Sequence, residues 1–212
     1  MNKAQAAQAQ TVSVETFATA GGSHIWLKSA AIVLAGSALA AICARVSIPL
    51  YFTPVPLSLA PFAVLVLGLL LSPRMAAATF VTYLAEGAIG LPVFAPSALA
   101  TSGLAHLVGP TGGYLLSYPP AAMLISYLWR RTTPRKRRGF TAALISAAAG
   151  DILILASGAL WLAALPHFTA RPAITLAVLP FLPGDALKVA AAAAIAVGAL
   201  RLSQARNSSH SS

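Results

Sequence analysis

Six apolar runs, set apart by Pro, Gly or basic clusters, make up most of this chain: Ile25 to Val46, Val55 to Leu71, Met75 to Ile89, Gly113 to Leu128, Phe140 to Leu162 and Ala173 to Leu200. Runs of this kind suit the core of a bilayer, which a helix crosses in about 20 residues. No strand-like alternation persists in them, so helices are the expected way to satisfy the backbone in lipid. Only 8% of the residues are charged and 58% are hydrophobic, whereas soluble domains carry roughly 25% charge. The expectation is an all-α integral membrane protein, six transmembrane helices in one bundle over residues 25–202, with disordered polar tails at 1–24 and 203–212. The first tail has Gln and Thr where a cleaved signal peptide needs an apolar core, so it is expected to be retained. A chain of 212 residues so arranged has no room for a soluble catalytic or nucleotide-binding domain.

The basic residues assign an orientation. With six spans both termini share one side, which would carry Lys3, Lys28, Arg74, Arg130, Arg131, Arg135, Lys136, Arg137, Arg138, Arg201 and Arg206. The opposite side would carry Arg45 and Arg171. This asymmetry predicts cytoplasmic termini. The net charge of +10 sits in membrane-flanking positions, where it favours anionic headgroups and does not form the folded basic face of a nucleic-acid binder.

Against this apolar background, Asp185 and Lys188 stand one helical turn apart in the last run. At i and i+3 they share a face, so they can pair with each other or hold two ends of a polar ligand. Ionisable groups at membrane depth mark a functional site by default. The orientation puts them in the outer half of the bundle, in a helix expected from about Ala173 with Pro180 and Pro183 in its first third. A second candidate region is the apolar, Gly- and Pro-rich connection from Gly90 to Tyr114, expected to fold back as a lid between helices 3 and 4. Its Gly112 and Gly113 permit close backbone approach, and Phe94 and Tyr114 offer aromatic faces. Glu86 is either a hydrogen-bond acceptor beneath that lid or a solvated helix-end carboxylate. Asp151 falls near mid-membrane, roughly 16 Å into its span, and is expected to be neutralised, hydrogen-bonded or cation-paired. Arg45 is expected to snorkel to the interface, and Cys43 to pack as a small apolar residue. His24, His106, His167 and His210 have no ligand spacing for a metal, and no cofactor is expected.

The segments Thr53-Pro-Val-Pro56, Tyr83-Leu-Ala-Glu-Gly-Ala-Ile-Gly-Leu-Pro-Val-Phe94, Gly109-Pro-Thr-Gly-Gly-Tyr-Leu-Leu116 and Phe181-Leu-Pro-Gly-Asp-Ala-Leu-Lys188 occur in that order. As a set they resemble the BioY family of biotin-uptake proteins, over about Trp26 to Leu200. The resemblance implies a six-helix substrate-capture subunit of an energy-coupling factor transporter in the bacterial cytoplasmic membrane. Such a subunit takes biotin from outside and docks on a transmembrane coupling subunit driven by two ATPase subunits. On this resemblance Asp185, Lys188, Tyr83, Glu86, Phe94, Thr111, Gly112, Gly113 and Tyr114 form the substrate site, and Ala31 and Ala35 the docking face. The chain departs from the pattern at Leu57-Ser58-Leu59, where many members have Thr-Leu-Gln. Other readings are capture of thiamine or riboflavin, or a proton-coupled carrier using Asp151 and Asp185, for which no inverted repeat is evident. No enzyme is expected, since no paired catalytic motif accompanies those two acids.

Overall fold

The computed structural model describes residues 26–96, 103–132, 139–165, 175 and 178–208. The tail at 1–24, the basic residues Arg135 to Arg138, Arg171 and the start of the sixth run near Ala173 lie outside the described residues. Helix α1 (Trp26–Arg45) is followed by β1 (Ser47–Ile48) and β2 (Leu57–Ser58), then α2 (Ala60–Leu70), α3 (Pro73–Ala88), α4 (Leu104–Val108) and α5 (Gly112–Tyr127). A π-helical turn at Leu128–Thr132 extends α5, and α6 (Phe140–Ala164) and α7 (Leu182–Ser208) complete the order. Among the described residues, three helices, Trp26–Arg45, Phe140–Ala164 and Leu182–Arg206, are long and apolar enough to cross a membrane.

The structure departs from the expected spans where proline intervenes. The second run was expected to be helical from Val55, yet Leu57 and Ser58 form an antiparallel ladder with Ile48 and Ser47. Pro49, Pro54 and Pro56 explain this, since proline lacks the donor that a helix interior needs. Helix α2 starts only at Ala60, with Pro61 in its first turn, where the missing N–H costs nothing. Its 11 residues span about 16 Å at 1.5 Å per residue, well short of a hydrocarbon core of about 30 Å. Ala60 and every residue from Ala63 to Leu69 are buried, because α2 packs against α5, α6 and α7. A helix that is hydrophobic all round belongs in such an interior.

The last helix also differs. Turn residues Val178–Pro180 precede it, and the Phe181 and Asp185 amides donate to the Val178 and Phe181 carbonyls at 3.0 and 2.8 Å. Pro183 thus lies in the first turn of α7, not a third of the way along a longer helix. At the other end α7 runs on to Ser208, so residues 203–208, expected in a disordered tail, are helical.

One end of the bundle is basic. Arg130 donates to the Leu70 and Leu71 carbonyls at 2.7 and 3.0 Å, and the buried Ser126 hydroxyl donates to Leu71 at 2.6 Å. These bonds satisfy carbonyls that the end of α2 leaves open. They also place the ends of α2 and α5 together, beside Ala199 and Leu200 of α7. Replacing Ser126 by Ala is expected to cost about 1 kcal/mol, seen as a lower thermal midpoint in detergent; an unchanged midpoint would mean Arg130 alone suffices.

Candidate functional site

The opposite end holds a cavity. It is lined by the α1–α2 connection (Val55, Pro56, Ser58), Tyr83 of α3, Phe94, Ala95, His106 and Thr111 of the α3–α5 connection, and Tyr114, Leu115 and Tyr118 of α5. Ala60 and Pro61 of α2, Asp151, Ile154 and Leu155 of α6, and Phe181, Asp185 and Lys188 at the start of α7 complete the lining. The unfilled space, counting its mouth, is ≈ 620 Å³, of which ≈ 50 Å³ can hold the centre of a water molecule. The second figure, well below the roughly 300–1,000 Å³ of small-molecule sites, leaves room for little more than water with the side chains as they stand.

Lys188 Nζ donates to Asp185 Oδ1 at 2.9 Å, and the two residues are 8% and 4% exposed. The pair is thus out of water, where a carboxylate and an ammonium each need a partner. Local structure supplies a second one for Asp185, which lies in the first turn of α7 and so meets the positive end of the helix dipole. Asp151 is 7% exposed and lies within electrostatic reach of both residues. Its Oδ1 has no hydrogen-bond partner. Of the three states expected for Asp151, a hydrogen bond or a cation pair is missing at this oxygen, because Lys188 is already committed to Asp185, and the neutralised state stays open.

Aromatic rings wall the cavity. Tyr83 meets Phe94 edge-on at 5.3 Å and stacks on Tyr118 at 6.3 Å, while Phe80 meets Tyr118 at 5.9 Å. Phe94 in turn lies 5.5 Å from the His106 ring, and Tyr114 lies 6.2 Å from Phe181. The Tyr83 hydroxyl donates to the Val93 carbonyl at 3.2 Å, which ties α3 to the connection that carries Phe94. Trp161 Nε1 donates to the Gly109 carbonyl at 2.9 Å and ties α6 to the same connection. Burial pulls the pKa of the His106 imidazole below its ordinary range, opposed by a hydrogen bond to the Ala95 backbone. Its Nδ1 faces no partner.

Of the residues that the family resemblance assigns to the substrate site, Asp185, Lys188, Tyr83, Phe94, Thr111 and Tyr114 line this cavity together. Gly112, Gly113 and Glu86 are not among the lining residues. A side chain at Gly112 would collide with the Leu107 carbonyl, and one at Gly113 with Trp161; these glycines let α5 approach its neighbours closely. Glu86 accepts from the Ser37 hydroxyl at 2.9 Å, fastening α3 to α1. On α1, Gly36, Ala40 and Ala44 are buried, and Ala31 and Ala35 are exposed. The sequence reading left His106, Tyr118, Asp151 and Phe181 out of the site. Tyr118 was detectable as the residue one turn beyond Tyr114 on the same face, and Phe181 as the start of the segment that carries Asp185.

Apolar helices closed around a cavity with a charged end define a membrane protein with an internal compartment for a small solute, the class to which substrate-capturing transport components belong. The BioY family model matches residues 9–205, and the chain belongs to that family, one of transporters and not of enzymes. It is similar to the "Probable biotin transporter BioY" of Pyrococcus horikoshii, 36% identical over 169 residues that cover 80% of this chain and 94% of that protein. The "Biotin transporter BioY" of Thermotoga maritima is 37% identical over 161 residues, covering 76% of this chain and 89% of that one. A solved structure of the S-component for biotin from an ECF-type ABC transporter superposes with a TM-score of 0.75 at 25% identity, covering 85% of this chain and 93% of the other.

Gly158 of α6 sits directly under the Tyr114 ring, where an added Cβ would overlap it. Gly158→Ala is expected to destabilise the protein by about 1–3 kcal/mol despite alanine's better helix propensity. The double variant with Tyr114→Ala should recover most of this in thermal unfolding, and equal loss in both backgrounds would break the proposed contact.

Proposed function

We propose that this chain is the biotin-capturing subunit of an ATP-driven uptake system in the bacterial cytoplasmic membrane. The observation that carries this reading is the Asp185–Lys188 pair, buried in the wall of an aromatic-lined cavity in a chain whose relatives are named biotin transporters. Biotin presents an anionic carboxylate, an apolar ring and tail, and a ureido group with N–H donors and a C=O acceptor. The Asp185–Lys188 pair meets one polar end of the ligand, Lys188 complementing the carboxylate while it keeps Asp185 as its other partner, and Tyr83, Phe94 and Tyr114 cover the apolar ring and tail. Thr111 completes the wall. Glu86, Gly112 and Gly113 take supporting parts, bracing the helices that present these groups.

Six helices cross the bilayer in this reading, with α2 buried deep enough inside the bundle to need less than the full thickness. Lys28, Arg74, Arg130, Arg131, Arg201 and Arg206 gather at helix ends away from the cavity, which supports cytoplasmic termini and a cavity facing outward. The connection carrying Phe94 and His106 serves as the lid. Its residues 97–102 lie outside the described residues. Transfer inward requires partners, a transmembrane coupling subunit and two ATPase subunits, in keeping with the ECF-type transporter named for the solved relative. The exposed Ala31 and Ala35 supply a smooth helix face for the coupling subunit.

Titration calorimetry of the purified chain is expected to show biotin binding without ATP. Lys188→Ala and Asp185→Ala should each weaken it by at least about a hundredfold, the ~3 kcal/mol order of a buried charge left without its partner. Affinity retained in both variants would sink the site assignment, and an inert parent protein would sink the function.

A further inference from the structure

The cavity holds more negative charge than its single lysine can balance, and an anionic ligand adds to the excess. Lys188 is engaged with Asp185 at 2.9 Å. Beside the cavity, the other titratable side chains on elements packed against α6 are Tyr114 and Tyr118 of α5; α2 contributes none, and Arg130 and Arg131 of the π-helical turn lie at the opposite end of the bundle. Tyr83 and His106 border the same space from α3 and from the connection. Both phenols of α5 are neutral at ordinary pH. Nothing among the described residues therefore neutralises Asp151, which is more than nine-tenths buried with Oδ1 unpartnered.

We propose that Asp151 takes up one proton from solvent when a carboxylate-bearing ligand enters, so that capture of the anion is also capture of a proton. The proton forms an O–H bond on Asp151, and the site then holds Lys188 against two anions, Asp185 and the ligand carboxylate, in place of three. It goes to Asp151 because Asp185 has Lys188 in direct contact and the amino end of α7 beside it, whereas Asp151 feels Lys188 only at a distance and lies mid-helix. Protonated Asp151 becomes a hydrogen-bond donor, a role that no carboxylate can fill. This inference rests on biotin being the ligand.

The sign of the pH dependence follows from linkage. As pH rises, the free protein ionises Asp151 and the proton needed for binding becomes scarcer, so Kd should climb by up to about tenfold per pH unit. The test is calorimetric titration of the full chain with biotin from about pH 6 to about pH 9, the range that also spans histidine titration. Running it in buffers of different ionisation heat counts the protons taken up. Uptake approaching one per site in the upper part of the range, abolished in Asp151→Asn and retained in His106→Gln, supports the inference. So does the absence of uptake with biotin amide, which brings no anion. No uptake by the parent at any pH overturns it, as does uptake that survives Asp151→Asn or disappears only in His106→Gln. The parent measurement decides the matter even if Asp151→Asn does not fold. A parent that fails to bind biotin at all defeats the functional reading instead, and is distinguishable from binding without uptake.

Discussion

The buried ion pair at the start of α7 sets the terms for the rest of the molecule. Two charges removed from water are tolerated only with close geometry and further polar support. The 2.9 Å contact provides the first, and the amino end of a helix that begins at Leu182 provides the second. The late start of α7 is therefore part of the site. Had the helix begun near Ala173, Asp185 would lie several turns from its amino end and lose that support.

Around the pair, packing is organised to keep space open without admitting much water. Tyr83, Phe94, Tyr118 and Phe80 meet mostly edge to face, an arrangement whose stabilisation of about 0.5–1.5 kcal/mol per pair comes on top of burial. Two glycines make it fit: Gly87 lies under Phe94 and Gly158 under Tyr114. Each surrenders helix propensity so that a ring can lie flat against backbone, which fixes the ring without filling the cavity beside it.

Much of this was legible in the sequence, and its failures share a cause. Helix α6 was expected over Phe140 to Leu162 and occupies Phe140–Ala164, because an uninterrupted apolar run leaves the backbone one option. Spacing put Asp185 and Lys188 on one face, free to pair or to hold a ligand, and the fold pairs them at 2.9 Å. Proline blurred the ends of α2 and α7, since whether a proline interrupts a helix or opens it depends on what precedes it. Gly112, Gly113 and Glu86 were assigned to the ligand on chemical type, yet their partners, Leu107, Trp161 and Ser37, are set by tertiary packing. The bare Oδ1 of Asp151 could not be foreseen for the same reason, as it depends on Lys188 having turned to another acid.

The shortness of α2 also bears on the lipid boundary. Ahead of Ala60 the chain is an extended, proline-rich segment with a ladder of only two residue pairs, so many of its amides and carbonyls lack regular partners. Such backbone survives at membrane depth only against protein or water, and Val55, Pro56 and Ser58 do border the cavity. With the cavity turned outward as proposed, this stretch puts polar main chain, and not hydrocarbon, beside the way in to the charged pair.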